Sequence, residues 1–145
     1  MKRVTKTDRQ WREELSEEQY RVLRKKGTEA PFTGEYVFEE GVGMYVCAGC
    51  RAKLFSSETK FETHCGWPSF YDALPGSVVF HADSSHGMVR TEVICGNCGG
   101  HLGHVFDDGP RDRGGLRYCI NSLAIRFIPE ADMEKEGYGY LSGVL

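Results

Sequence analysis

Gly115-Leu116-Arg117-Tyr118-Cys119-Ile120-Asn121-Ser122-Leu123-Ala124-Ile125-Arg126-Phe127 is the longest run in the chain that reads as one buried strand. Leu, Ile, Tyr and Phe dominate it, and Gly114-Gly115 and Pro129 bound it. Side chains alternate faces along a strand, so Arg117, Cys119 and Asn121 are expected on one face. A thiol between a fixed cation and an amide is a candidate nucleophile, because a positive neighbour favours the reactive thiolate. The plainer alternative is a small buried hydrophobe, the usual role of a cysteine in an apolar strand.

Outward from this run the chain has the texture of short strands. Its 145 residues carry 18 glycines, 40% hydrophobic and 27% charged residues, which fits one globular domain over 1–145. Tyr36-Val37-Phe38, Met44-Tyr45-Val46, Val78-Val79-Phe80 and Met88 to Ile94 are strand candidates. In the last, Val89, Thr91 and Val93 alternate with Arg90 and Glu92, which predicts a half-exposed strand. Strands joined by turns, without interleaved helices, point to antiparallel sheets, with the β core at about 35–129. Ahead of it, residues 7–30 look helical. Ser16-Glu17-Glu18-Gln19 fits a capping box, Trp11, Leu15, Tyr20 and Leu23 form an apolar stripe, and Gly27 is the expected C-cap. The tail from Glu130 to Leu145 is polar and glycine-rich, with Tyr138 and Tyr140 as candidate anchors.

A net charge of −3 argues against nucleic acid as a partner. No stretch has the length of a membrane span, and Met1 to Asp8 has no apolar signal region. A cytoplasmic, reducing setting is therefore expected, and a monomer is the default. Six cysteines in that setting argue for metal or redox chemistry rather than structural disulfides.

Cys47-Ala48-Gly49-Cys50 and Cys95-Gly96-Asn97-Cys98 are two CxxC turns with 44 residues between them. Each can aim two thiolates at one tetrahedral ion, so Cys47, Cys50, Cys95 and Cys98 are expected to hold one structural Zn2+, with iron as the rival metal. Cys65 is left over in His64-Cys65-Gly66-Trp67-Pro68-Ser69-Phe70, a loop. A thiol on a loop suits a resolving cysteine, although an unpaired thiol of no consequence is equally compatible with this segment. Trp67 is either a core plug or an indole at a pocket rim. In Gly100-His101-Leu102-Gly103-His104-Val105-Phe106-Asp107-Asp108-Gly109-Pro110, His101 and His104 are candidate acids near Cys119, with zinc ligation the alternative. Asp107-Asp108 is first a turn and second a histidine partner. His64, His81 and His86 read as surface or loop residues.

Three of these segments together resemble a known family. Gly66-Trp67-Pro68-Ser69-Phe70, His101 to Pro110, and Arg117-Tyr118-Cys119-Ile120-Asn121-Ser122, in that order, are similar to the methionine-R-sulfoxide reductases of the B type. The two CxxC pairs match its zinc-containing form. The resemblance runs from the Ser16 helix to Ile128 and includes Tyr20 to Glu29. It implies a mainly β (α+β) fold of two antiparallel sheets, a β-tent, with N-terminal helices packed outside. It implies an oxidoreductase that returns methionine-R-sulfoxide, free or in proteins, to methionine and so repairs oxidised proteins. Cys119 would be the nucleophile, forming a sulfenic acid, and Cys65 the resolving thiol, forming a Cys119–Cys65 disulfide that thioredoxin recycles. His101, His104 and Asn121 would hold and protonate the sulfoxide oxygen, Trp67 would meet the S-methyl group, and Arg117 would support the thiolate.

Two other classes compete on the residues alone. A zinc-ribbon binding module needs only the four CxxC cysteines and leaves Cys119, the histidines and the Trp67 loop without a task. A thiol peroxidase or disulfide exchanger would use Cys119 and Cys65 on a different substrate.

Overall fold

A computed structural model describes residues 4–84 and 87–145; His86 and the first three residues of the amino-terminal stretch lie outside the described residues. The expected helical segment is two short helices, α1 (Asp8–Glu14) and α2 (Glu17–Lys25). Each starts with its own capping box. Thr7 accepts from the Gln10 amide at 3.1 Å, and Ser16 accepts from the Gln19 amide at 3.1 Å. An N-cap residue is extended, so the second box ends the first helix. The C-cap of α2 is Lys26, in the left-handed region at φ 58°, rather than Gly27. Its ammonium lies 3.4 Å from Glu92 and 3.9 Å from Asp83, contacts that help offset an unfavourable backbone. Trp11, Leu15, Val22 and Leu23 are buried, so the helices pack on the outside of the β core.

Among the described residues, nine strands form two antiparallel sheets. In the three-stranded sheet, β1 (Gly43–Cys47) lies between β2 (Lys53–Ser56) and β9 (Ile125–Pro129). The six-stranded sheet holds β3 (Lys60–Phe61), β4 (Ser69–Phe70), β5 (Val78–Asp83), β6 (Arg90–Cys95), β7 (His101–Phe106) and β8 (Arg117–Ile120). Its order is β3-β4-β8-β7-β6-β5.

The run Gly115–Phe127 is therefore not one strand. It leaves the larger sheet after Ile120, makes a 3-10 turn over Ser122–Ala124 and enters the smaller sheet as β9. The polar pair Asn121-Ser122 accounts for the break. The Asn121 amide nitrogen donates to Leu102 O at 3.0 Å, and its oxygen accepts from the Glu29 N–H at 3.0 Å. The Ser122 hydroxyl accepts from the Tyr36 N–H at 3.1 Å. The buried Glu29 carboxylate takes the Leu123 N–H at 2.9 Å. These bonds replace a ladder that the backbone would otherwise continue.

Tyr36-Val37-Phe38 is a turn, not a strand. Gly34 is pressed against Ser122, and the chain bends there, burying Tyr36 and leaving Phe38 76% exposed. Over Met88 to Ile94 the expected alternation fails as well. Val93 is buried, but so is Glu92, whereas Val89 is 90% exposed.

The sheets face each other across Tyr45, Phe55, Phe70, Leu102, Tyr118 and Ile120. Phe55 stacks on Phe70 at 4.4 Å, and Tyr45 meets Phe70 edge-on at 5.0 Å. Each such side chain contributes roughly 1.5–3 kcal/mol by leaving water. The other face of β1 presents Met44 and Val46 to Ile128, Met133 and Leu141. The last two come from the tail, through α3 (Glu130–Met133) and a 3-10 turn over Gly139–Val144. Tyr138 anchors the tail by donating to Arg51 O at 2.6 Å, while the Tyr140 side chain is exposed.

Candidate active site

The register of the larger sheet sets the site. Glu92 pairs with His104, His104 with Cys119, and Cys119 with Ser69. Directly paired residues project from the same face, so a carboxylate, an imidazole, a thiol and a hydroxyl form one row. Arg117 lies two residues from Cys119 on that face. β7 and β8 approach so closely that a β-carbon at Gly103 would sit 2.0 Å from the Cys119 carbonyl oxygen.

His101 and His104 lie on a strand, where residues three apart face opposite ways. A β-bulge removes that conflict. Ile94 pairs with His101 and Val93 with Gly103, leaving Leu102 as an extra residue. Both rings then share a face, with centroids 5.4 Å apart. His104 Nε2 bonds the Asp83 carboxylate at 2.7 Å, and His101 Nδ1 bonds Glu92 at 2.7 Å. Burial lowers the His101 pKa, against the pull of Glu92, so that ring favours neutrality. Its Nε2 is buried with no protein partner.

Around Cys119 lies a cavity of about 180 Å³ that also borders Cys65, Trp67, His104, Arg117 and Asn121. His101 borders instead a neighbouring cavity of about 310 Å³, shared with His104. The Cys65 loop turns at Gly66, where φ is +92° and a β-carbon would strike Pro31 at 2.6 Å. The turn brings the Cys65 sulfur to 3.6 Å from Cys119 Sγ, with both thiols free. Burial pushes the Cys119 pKa up to about 12, and Cys65 adds to the rise against the opposing pull of Arg117. Burial also acts to raise Cys65, but hydrogen bonds with Ser69 and Thr63 prevail and lower it. The two thiols are thus pushed apart in acidity, and Cys119 rests protonated.

The Arg117 guanidinium makes a fork with Asp108, at 2.9 and 3.2 Å, and lies on the Phe106 ring at 4.5 Å. Asp108 thus partners Arg117 rather than a histidine, and Asp107 is exposed. Half of the Trp67 expectation is met on each side. The indole is partly buried, donates through Nε1 to Glu29 O at 3.0 Å, and forms part of the cavity wall. His64 and His81 are exposed, His81 within β5.

Sequence reasoning missed Asp83, Glu92 and Glu29. Glu92 sat in an apparent polar-out alternation. Asp83 ends a strand with no motif of its own. Glu29 stands in an irregular loop whose only signal is a lone acid ahead of Ala30-Pro31.

The four CxxC sulfurs all lie within 4.8 Å of one another, with Cys47–Cys98 at 3.7 Å and Cys50–Cys95 at 3.6 Å. A tetrahedral ion with metal–sulfur bonds of ~2.3 Å has sulfur–sulfur edges of about 3.8 Å, so the cluster fits a metal ion. One knuckle is the β1–β2 turn and the other the β6–β7 turn, so an ion there would join the two sheets. Arg24 of α2 donates to Cys98 O at 3.0 Å and lies over Trp11, closing the outer side. The histidines stand outside this cluster. No helix among the described residues is long and apolar enough to cross a membrane.

A family model described as the SelR domain matches residues 15–129. A peptide methionine sulfoxide reductase MsrB of Acinetobacter baumannii is 52% identical over 139 residues, 95% of this chain and 99% of that protein. MsrB proteins of Leptospira interrogans and Agrobacterium fabrum are 58% and 56% identical over 128 residues each, 88% of this chain and 97% and 94% of theirs. With a family model matching residues 15–129 and identity of this extent over nearly whole chains, the chain belongs to the SelR-domain family, that of the MsrB peptide methionine sulfoxide reductases.

Proposed function

We propose that the chain reduces methionine-R-sulfoxide, in oxidised proteins or free, to methionine, and thereby repairs proteins. The observation that carries this is the pair of free thiols 3.6 Å apart in a cavity that also meets His104 and Trp67. The R hand comes from the family resemblance.

The substrate's S-methyl group rests on the Trp67 indole, an apolar wall held by its bond to Glu29. The sulfoxide oxygen lies toward His104 and Asn121. Asp83 fixes the His104 ring through Nε2, so the ring can donate or relay a proton at its other nitrogen. His101 supports this ring from behind and keeps the neighbouring cavity polar. Sulfur attack by Cys119 forms the S–O bond as the substrate S–O bond breaks. The thiol proton ends on the transferred oxygen, so thiol plus sulfoxide gives sulfenic acid plus thioether. Because Cys119 rests protonated, its proton leaves in step with attack, and Arg117 steadies the developing thiolate. Cys65 then attacks the sulfenic sulfur, forming the Cys119–Cys65 disulfide and releasing water. A dithiol, thioredoxin in the cell, reduces that disulfide and is itself oxidised.

Zn2+ held by Cys47, Cys50, Cys95 and Cys98 would supply a closed, four-sulfur cross-link between the sheets. The chain is proposed to work as a single domain over 1–145, as a cytoplasmic monomer.

Incubating the reduced protein and dithiothreitol with separated R and S sulfoxides of N-acetylmethionine tests this reading. Consumption of the R form alone is expected; no consumption of either form contradicts it.

A further inference from the structure

Trp67 is a wall shared by two hollows. The one at Cys119 holds about 180 Å³, below the ~300 Å³ at which pockets accept whole small ligands, so it has room for little beyond one side chain. Trp67 also lines a groove of about 480 Å³, bordered by Phe38, Glu39, Glu40, Phe61 and Glu62. When a methionine sulfoxide side chain enters the first hollow, the polypeptide that carries it must continue over an adjoining surface, and this groove adjoins the site at Trp67, which lines both.

The lining has a specific chemistry. Phe38 is 76% exposed and stacks on another exposed ring, Phe32, at 6.4 Å. Glu40 and Glu62 are exposed, and Glu39 is half-buried with one oxygen accepting from the Gly41 N–H at 3.0 Å. Lys60 also borders the groove, but its ammonium is half-buried and donates to Val37 O at 3.2 Å. Three carboxylates against one engaged ammonium and the exposed His64 imidazole leave the groove acidic, and aromatic faces beside carboxylates suit a cation twice over.

We propose that this groove receives a lysine or arginine side chain of the oxidised polypeptide, near in sequence to the methionine sulfoxide. The site then favours cationic segments over acidic ones. This inference rests on the reductase reading of the Cys119 cavity.

The test compares kcat/KM, with dithiothreitol as reductant, for short blocked peptides in which methionine sulfoxide is flanked by Lys, Ala or Glu. N-acetylmethionine sulfoxide is the control that does not reach the groove. At low salt the Lys peptides are expected to exceed the Glu peptides by roughly 5- to 10-fold, what two or three exposed charge pairs supply. The ratio should fall as salt screens them. The double variant Glu40→Lys/Glu62→Lys is expected to reverse the order while the control turns over unchanged, which also shows that the variant is folded. Equal kcat/KM for Lys and Glu peptides, or an order unmoved by the double variant, overturns the groove. Failure of the control with the unaltered protein would overturn the reductase reading instead.

Discussion

Cys65 Sγ stands 3.6 Å from Cys119 Sγ, brought there by a loop rather than by strand pairing. A disulfide needs about 2.05 Å between sulfurs, so closing the bond takes a shift of roughly 1.5 Å. The partner thiol is therefore in reach before reaction begins.

Replacing the partner separates the two halves of the cycle. Cys65→Ser should reduce about one equivalent of sulfoxide per chain and then stall with thioredoxin as reductant. Product measured against chain concentration checks this. Sustained thioredoxin-driven turnover would remove Cys65 from the resolving role.

His104 pairs with Cys119 across the strands and borders the same cavity, whereas His101 does not reach that cavity. His104→Ala should slow the reductive step by on the order of 100-fold, as the loss of a general acid does. Single-turnover rates of the Cys65→Ser background, with and without the His104 change, measure it directly. An unchanged rate would leave the acid elsewhere.

The two thiols should differ in acidity. With Cys119 raised to about 12 by burial, iodoacetamide at neutral pH should label Cys65 first, and Cys119 labelling should climb only in strong alkali. The raised value also means that folding favours the neutral thiol. Its contribution to stability is present below its ordinary value of 9.0 and is lost as pH rises from there toward about 12. Denaturant titrations of Cys119→Ala should therefore show a shallower loss over that window. Peptide mapping that finds Cys119 alkylated first would contradict this order.

Removing the metal should act on the fold and not on the reacting sulfur. The ion would link the β1–β2 and β6–β7 turns, and binding free energy at such a site is folding free energy. Emission spectrometry should find about one zinc per chain. Cys98→Ser or strong chelation should lower the unfolding midpoint by roughly 10 °C or more, the effect of several kcal/mol on a chain this size. A metal-free protein with an unchanged midpoint would contradict the structural role.

What could be read from the chain beforehand was mostly chemistry, and what could not was mostly direction. The CxxC turns were legible because metal-ligand spacing is local, and the structure places their four sulfurs together. Cys119, Cys65, Trp67, His104, Arg117 and Asn121 were legible as residue types, and they do border one cavity. The break at Asn121-Ser122 was hidden, because an apolar run carries no record of a change of sheet. It depends on Glu29, which is 92 residues from Asn121. The bulge at Leu102 was hidden for the same reason: which residue is extra depends on the register with β6. Glu92 looked solvent-facing because alternation cannot distinguish an exposed acid from one buried against a histidine.

The account turns on Cys119 receiving the oxygen. Reduced Cys65→Ser protein, mixed with one equivalent of R sulfoxide and then with a sulfenic-acid trap, should carry the trap on Cys119 in a peptide mass spectrum, with methionine released in equal amount. Release of methionine with Cys119 unmodified would contradict it.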